Sequence, residues 1–313
     1  MCGIFCQLSA SPAPSEPGKA VHGQLQKRGP NCSQNLTIRG ADFSYTCLFS
    51  AHVLHMRGAL TPQPIQDTHG NVLLWNGEVF GGLSVSPNEN DTAVISKRLA
   101  SCDSPSEILH VFSSIQGPWA FIYHQKDGDY LWFGRDFFGR RSLLWRFDRD
   151  AEIFTLSSVA ARSLGDCAWK EVPAVGLYRV ALKTIGESIS FEVFQWDKVG
   201  VGEDDELRWE TVHDDCIAIT NQSRLVMPSP VAALNMCVPN ASEEKLSESS
   251  NHLNGKDLEQ LLASYEQTSE VHSLIDVLSE AVRRRVQSLP FVQETESPAT
   301  KTKLMLLYCF LAV

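Results

Sequence analysis

An α+β fold is predicted for this chain on three observations. Short apolar runs of strand character recur from Ile4 to Phe194, bounded by Gly, Asp and Asn turns. Helical patterns are inserted between them in blocks, whereas an α/β fold would alternate the two strictly. Finally, 43% hydrophobic and 20% charged residues is a globular composition, with aromatic residues enough for a sizeable core.

The first apolar run, 4–8, is a strand followed by a Ser- and Pro-rich loop over 9–17. A short polar helix over 19–26 is stopped by Arg28-Gly29-Pro30-Asn31, because Gly and Pro punctuate the backbone. Strands are expected at 36–38, 45–49, 72–75, 119–124, 130–134, 143–147 and 153–156, and later ones at 177–182 and 189–194 close the first domain. Two helices interrupt this series. One spans 91–99, with Val94, Ile95 and Leu99 on one side; the other opens on the capping box Ser104-Pro105-Ser106-Glu107, with proline at its first helical position. From about 227 to 255 the composition shifts to Pro, Ser, Asn and Glu and offers little for a core. A helical period resumes at Leu258, Leu261, Leu262 and Tyr265, then at Val271, Leu274, Ile275, Leu278 and Val282. It ends in Arg283-Arg284-Arg285, a solvated cationic end that suits the helix dipole.

A length of 313 residues fits two domains, or one domain and a fragment. The net charge of −10 argues against a binder of phosphate backbones, whose affinity rests on Lys and Arg. Nine cysteines show neither a Cys-x-x-Cys pair nor a Cys/His cluster at zinc spacing, so reduced thiols and no metal site are expected. No basic segment leads into an apolar run at the start, which favours a cytoplasmic location. The apolar run 304–313 is shorter than the ~20 residues a membrane-spanning helix needs, so it is expected to be a core segment and no membrane partner is expected.

Chemistry concentrates at the first residues, Met1-Cys2-Gly3-Ile4. Removal of Met1 would leave a thiol and a free α-amine on one residue, a nucleophile with its own base. An amine near pKa ~8 takes the proton of a thiol near ~8.5 directly or through one water. A chain that simply begins Met-Cys is an equally open reading of these residues alone. Asn76-Gly77 supplies a side-chain amide donor and a backbone N–H that can face a developing oxyanion, although the dipeptide alone fits a hairpin turn as well.

Three further fragments follow Cys2 in a fixed order: Arg28-Gly29-Pro30, Asn76-Gly77-Glu78-Val79-Phe80, and Gly134-Arg135-Asp136-Phe137-Phe138-Gly139-Arg140-Arg141. With Cys2-Gly3-Ile4 they make the chain resemble the glutaminase domain of class II amidotransferases, and specifically the asparagine synthetase family. The resemblance covers about 2–199 and, more thinly, the helix ending at Arg285. It implies a four-layer αββα N-terminal-nucleophile hydrolase domain with two stacked antiparallel sheets over 2–199. A connector over 200–256 and the truncated helical start of an α/β synthetase domain over 257–313 would follow. It further implies Cys2 as nucleophile, Asn76 and Gly77 as stabilisers of the tetrahedral intermediate, Glu78 as a residue that helps hold glutamine, and Asp91 as the partner of its α-ammonium. A helix cap is a compatible second role for Asp91. Arg135-Asp136 and Arg140-Arg141 resemble the family's arginine-rich turn, which is structural.

Two departures bear on function. The family's arginine for the α-carboxylate of glutamine falls, counted back from Gln63-Pro64 without gaps, on His52; Arg57 reaches it only after a change of register. Imidazole is no equivalent of a bidentate guanidinium, and losing a charged hydrogen bond of ~1.5–3 kcal/mol weakens binding about ten- to a hundredfold. The chain also has no Ser-Gly-Gly-x-Asp motif, Walker loop or Gly-x-Gly-x-x-Gly fingerprint, so it reads as shortened at its C-terminus. No cofactor is expected in this chain, and ATP and Mg are expected only in full-length relatives. Glutamine is the expected small-molecule substrate and nucleic acid is not expected, while protein partners or a homo-oligomer stay open. Two functions compete: a glutaminase half that serves asparagine biosynthesis in full-length relatives, and a non-catalytic interaction module that keeps the fold. An amidotransferase acting on sugar phosphates is weaker, since no matching segment follows Val199.

Overall fold

Most of the strands are apolar on both faces, so each has to be covered twice, and the chain does this by stacking two sheets and laying helices on their outer sides. The computed structural model describes residues 1–10, 17–40, 44–148, 150–161, 169–184, 189–197, 217–222, 225, 227–228 and 269–287. In chain order the elements begin β1 (Gly3–Ser9), α1 (Lys19–Arg28), β2 (Cys32–Arg39), β3 (Thr46–Val53), β4 (Ile65–Gln66), β5 (Val72–Gly77), α2 (Asp91–Leu99) and α3 (Pro105–Ser114). They continue β6 (Trp119–Gln125), β7 (Tyr130–Arg135), β8 (Leu144–Asp148), β9 (Ile153–Ser157), β10 (Lys170–Glu171), β11 (Gly176–Ala181), β12 (Ile189–Gln195), β13 (Ile217–Gln222) and α4 (Ser269–Gln287). The first sheet has the order β10-β8-β9-β1-β3-β2 and the second β13-β12-β11-β7-β6-β5-β4.

Alternation along the strands sorts side chains into layers. Ile4, Cys6 and Leu8 of β1, Phe49 and Ala51 of β3, Val72 and Leu74 of β5 and Ala120 and Ile122 of β6 meet in the core between the sheets. Aromatic rings fill its centre: Phe133 stacks on Tyr178 at 5.2 Å and Trp145 on Phe191 at 5.4 Å. The opposite residues face helices. Phe5 and Leu48 pack with Leu25 of α1, while Trp75, Trp119 and Phe121 pack with Ile95 and Leu99 of α2 and Ile108 and Phe112 of α3.

Each strand expected over 36–194 is present, and α2 has the expected bounds. Its start is set by Asn90, whose Oδ1 accepts from Thr92 N at 3.0 Å. The capping box is shifted by one residue: Ser104 Oγ accepts from Glu107 N at 3.4 Å, but Glu107 Oε2 accepts from Asp103 N at 2.7 Å. One pairing departs from the expected antiparallel sheets, because β13 runs parallel to β12. Parallel pairing needs a connection of about a dozen residues or more, and 196–216 exceeds that. The cationic end of α4 is not wholly solvated. Arg284 Nη1 donates to Gln116 Oε1 at 3.2 Å and Arg285 lies 4.9 Å from the ring centroid of Phe80, while Leu274, Ile275, Val277, Leu278 and Val282 stay exposed. Most of 200–256, the helix expected over 258–265 and the apolar run 304–313 lie outside the described residues. Among the described residues no helix is long and apolar enough to cross a membrane.

Candidate active site

The pairing of β1 with β3 decides where the first residues point. Gly3 lies opposite His52 and Ile4 opposite Ala51, and residues directly opposite in an antiparallel ladder share a face. Ile4 and Ala51 face the other sheet, so Gly3 and His52 face α1, and Cys2, one residue before Gly3, falls back on the inner side. Gly3 is required there, since a Cβ would lie 2.7 Å from the carbonyl oxygen of Leu25 in α1. The strand start is pinned by Ser158, whose Oγ accepts from Ile4 N at 3.0 Å and whose N donates to Ile4 O at 2.9 Å. Cys2 Sγ is 3.8 Å from Leu54 O.

β5 brings the second group by the same alternation. Val72 and Leu74 face the inter-sheet core, so Asn76 does too, fully buried. Trp75 N donates to Gln63 Oε1 at 2.7 Å, away from β6, whereas Glu78 N donates to Pro118 O on the β6 side at 3.0 Å. Amides alternate along a strand, so the Gly77 N–H aims the same way as that of Trp75, to the side where β4 has already ended. Asn76-Gly77 is thus a strand end and not a hairpin turn. Beyond it Gly117, at φ +153°, lets the chain approach closely: a Cβ there would lie 1.9 Å from Glu78 O.

Glu78, Asp91 and Arg57 then converge. Arg57 Nη1 donates to Val79 O at 2.8 Å and Nη2 to Val85 O at 3.3 Å, which fastens the segment after Glu78. Asp91 is the first residue of α2, and its Oδ1 accepts from Thr92 N at 2.9 Å. Burial pushes the Glu78 carboxyl up to about 8, helped by the Asp91 charge and opposed by Arg57 and Arg141. Burial likewise raises Asp91, against the pull of Arg57. Cys2 is pushed up to about 11 by burial, with Asp91 and Glu78 adding to it and the terminal amine opposing. The Met1 amine moves down, chiefly through burial and further through Arg141 and Arg28, while Cys2 and Glu78 pull it up. Cys2 and Glu78 nonetheless keep part of their surface open, the combination expected of groups lining a narrow cleft.

These mutual influences place Cys2, the amine, Glu78, Asp91, Arg57 and Arg141 in one electrostatic cluster. Among the described residues Arg57 Nε and Arg141 Nε of this cluster, and both amide atoms of Asn76 two residues before Glu78, are buried without a hydrogen-bond partner. Unpaired buried polar atoms are costly, and a concentration of them marks a place built for a polar ligand. His52 is not brought to this cluster. Its Nδ1 lies 2.7 Å from Ser33 Oγ and its ring 5.0 Å from that of His22, both on the α1 side of the sheet. Burial and His22 lower its pKa. Arg57 is the residue that stands beside Glu78 and Asp91.

The turn over 135–140 is a brace. Asp136 accepts from Trp119 N, Phe138 N, Arg140 N and Arg140 Nε at 2.9–3.1 Å, and Arg140 Nη2 donates to Gly117 O at 2.6 Å. Arg135 donates to Arg141 O and Val172 O and pairs with Glu171 at 2.8 Å. Arg141 differs from the other two, for its side chain answers to Glu78, Asp136 and Cys2. The sequence carried no local signal for this, since Arg140 and Arg141 are adjacent in an irregular turn and only their partners tell them apart. Among the described residues no group of three or more His, Cys, Asp or Glu is placed to hold a metal ion.

No protein-family model matches the chain. Over 304 residues it is 43% identical to the human (Homo sapiens) asparagine synthetase domain-containing protein 1, covering 93% of this chain and 47% of that protein. To its counterpart from Bos taurus it is 42% identical over 308 residues, again 93% of this chain and 47% of that protein. Among solved structures it is similar to a glutamine phosphoribosylpyrophosphate amidotransferase from B. subtilis complexed with ADP and GMP, at 15% identity and a TM-score of 0.45, covering 62% of this chain and 50% of that one. That score is too low to carry an argument. The chain spans about half the length of the curated relatives it matches. On an identity above 40% along nearly its whole length, the chain belongs to the family of asparagine synthetase domain-containing protein 1.

Proposed function

We propose that this chain is a class II glutamine amidotransferase domain that hydrolyses glutamine through Cys2. One observation carries the reading: the Cys2 thiol, the terminal amine and the Glu78 and Asp91 carboxyls are near enough to influence one another's charge, with Arg57 acting on both carboxyls and the buried amide of Asn76 two residues before Glu78. With Met1 removed, the amine would sit on Cys2 itself. Burial lowers the pKa of the Met1 amine and raises that of the thiol; the same surroundings would favour an uncharged amine on Cys2, the form that acts as a base, beside a thiol that holds its proton until attack.

Glutamine would enter with its α-ammonium toward Glu78 and Asp91 and its α-carboxylate toward Arg57. As sulfur bonds to the side-chain amide carbon, the thiol proton passes to the amine, and the oxygen gains charge beside Asn76 Nδ2 and the Gly77 N–H. The protonated amine then returns its proton to the amide nitrogen, the C–N bond breaks, and ammonia leaves a thioester. Water, deprotonated by the same amine, attacks the thioester and releases glutamate and the thiol. In longer relatives this ammonia would serve asparagine formation.

A second reading is supported by Arg57, which spends one N–H of each terminal nitrogen on the backbone carbonyls of Val79 and Val85. A clamp so occupied favours a non-catalytic module that keeps the fold. Intact-mass measurement after treatment with a diazo-ketone analogue of glutamine separates the two. A single adduct on a Met-free Cys2 is expected from the hydrolase. A folded, Met-free protein that takes no adduct and releases no ammonia is the module.

A further inference from the structure

We propose that Gln63 is a positioning residue that sets the length of substrate the cleft accepts: its side-chain amide ties the strand that ends in Asn76-Gly77 to the helix start that carries Asp91, and so fixes the span between the two ends of a bound glutamine. The proposal rests on the reading of Asn76-Gly77 and Asp91 as the places of the side-chain oxygen and the α-ammonium. It is carried by hydrogen bonds. Trp75 N donates to Gln63 Oε1 at 2.7 Å, and Gln63 Nε2 donates to Thr92 Oγ1 at 3.2 Å. Gln63 is 2% exposed and Thr92 3%, so water does not compete for either bond. The amide can stand only this way round, because the Trp75 N–H is a donor and needs the oxygen.

Each end of this tie is next to one anchor. Trp75 directly precedes Asn76 in β5. β4 begins at Ile65, opposite Leu73, so the ladder stops short of Trp75 and the Gln63 side chain takes the place of a strand carbonyl there. Thr92 directly follows Asp91, and its N donates to Asp91 Oδ1 at 2.9 Å and to Asn90 Oδ1 at 3.0 Å. Asn90 Nδ2 in turn donates to Arg57 O at 3.1 Å. The helix start and Arg57 are thus one hydrogen-bonded body, and Gln63 joins that body to β5. Ile95 and Leu99 of α2 also pack with Trp75, but apolar contact is non-directional, whereas the two hydrogen bonds set how far the helix start stands from the strand end. Asparagine is glutamine less one methylene. A cleft whose anchors are held at one span takes the longer amide and leaves the shorter one unable to reach both.

The test compares the rates at which two electrophiles add to Cys2 of Met-free protein, followed by mass: the diazo-ketone analogue of glutamine and its counterpart one carbon shorter, the analogue of asparagine. The parent is expected to prefer the longer reagent by about tenfold or more, the worth of one methylene. Thr92→Val removes the acceptor and leaves the bond to Trp75, while Gln63→Met removes both bonds. Each is expected to lose most of the preference, and Thr92→Ser, which restores the hydroxyl, is expected to recover it. A loss of stability alone slows both reagents alike and leaves their ratio unchanged, so the ratio separates positioning from a merely structural role. Should Gln63→Met fail to fold, which its thermal midpoint reveals, Thr92→Val gives the same readout. Folded variants that label with the parent's ratio overturn the proposal and leave the hydrolase standing, as does a parent that labels with both reagents equally or a Thr92→Ser protein no more selective than Thr92→Val. A parent that takes neither reagent overturns the hydrolase and this proposal with it.

Discussion

Asn76 is fully buried and neither amide atom has a hydrogen-bond partner among the described residues, so removing its side chain breaks no hydrogen bond seen there. Asn76→Ala is therefore expected to change stability by only about 1 kcal/mol. Glutamine turnover should fall about 10²- to 10³-fold, the loss that follows removal of one oxyanion donor; thermal midpoint and ammonia release check the two halves. Glu78 gives a pH signature. Its folded carboxyl is raised from 4.5 to about 8, so the folded protein binds the extra proton between those values and stability falls as pH rises through that window. Glu78→Gln stays neutral throughout and should flatten the fall, measured as urea midpoints at pH 5 and pH 8. At this scale Cys2, Asn76 and Asp91 could be named as candidates from sequence because each joins a residue type to a local frame, a chain start, a strand end or a helix start. The choice between His52 and Arg57 was not legible from a gap-free count. It depends on which face of β3 a residue occupies, and that is fixed only once β1 is paired with it. Arg141 was hidden by its neighbours, since three arginines in one turn look alike until their partners are known.

The elements that place the site are stopped and started by short-range chemistry. Ser104→Ala removes the oxygen that caps α3 and should cost about 1 kcal/mol in urea unfolding, with adduct formation at Cys2 retained because α3 touches the site only through the packing of the second sheet. Gly117→Ala is the contrasting case. A Cβ 1.9 Å from Glu78 O has to displace backbone, so the Glu78 segment moves and diazo-ketone labelling should be lost even where circular dichroism shows a folded protein. α2 and α3 were readable from their caps and periodicity. β4, β10 and β13 were not: two are two-residue pairings, and β13 adds parallel to β12 with no hairpin turn to announce it.

At the scale of the molecule, stability lies in the aromatic layer between the sheets. Phe191 meets Phe133, Trp145 and Phe154 at ring distances of 5.3–5.5 Å, and Phe191→Ala should cost about 3–5 kcal/mol in denaturant unfolding. That two sheets would stack came from the family resemblance and not from the strand pattern, which gave only an α+β fold; which face carries the chemistry was a matter of pairing. The pairing of β1 also carries a liability. The sheet repeat is two, so a slip of a single position between β1 and its neighbours would turn the sulfur outward to α1 and put the bare Gly3 in the cleft. Inserting one glycine between Gly3 and Ile4, which leaves the position against Leu25 without a side chain, should yield a chain that melts almost like its parent yet is chemically mute, a silence arising from orientation and not from loss of any functional group.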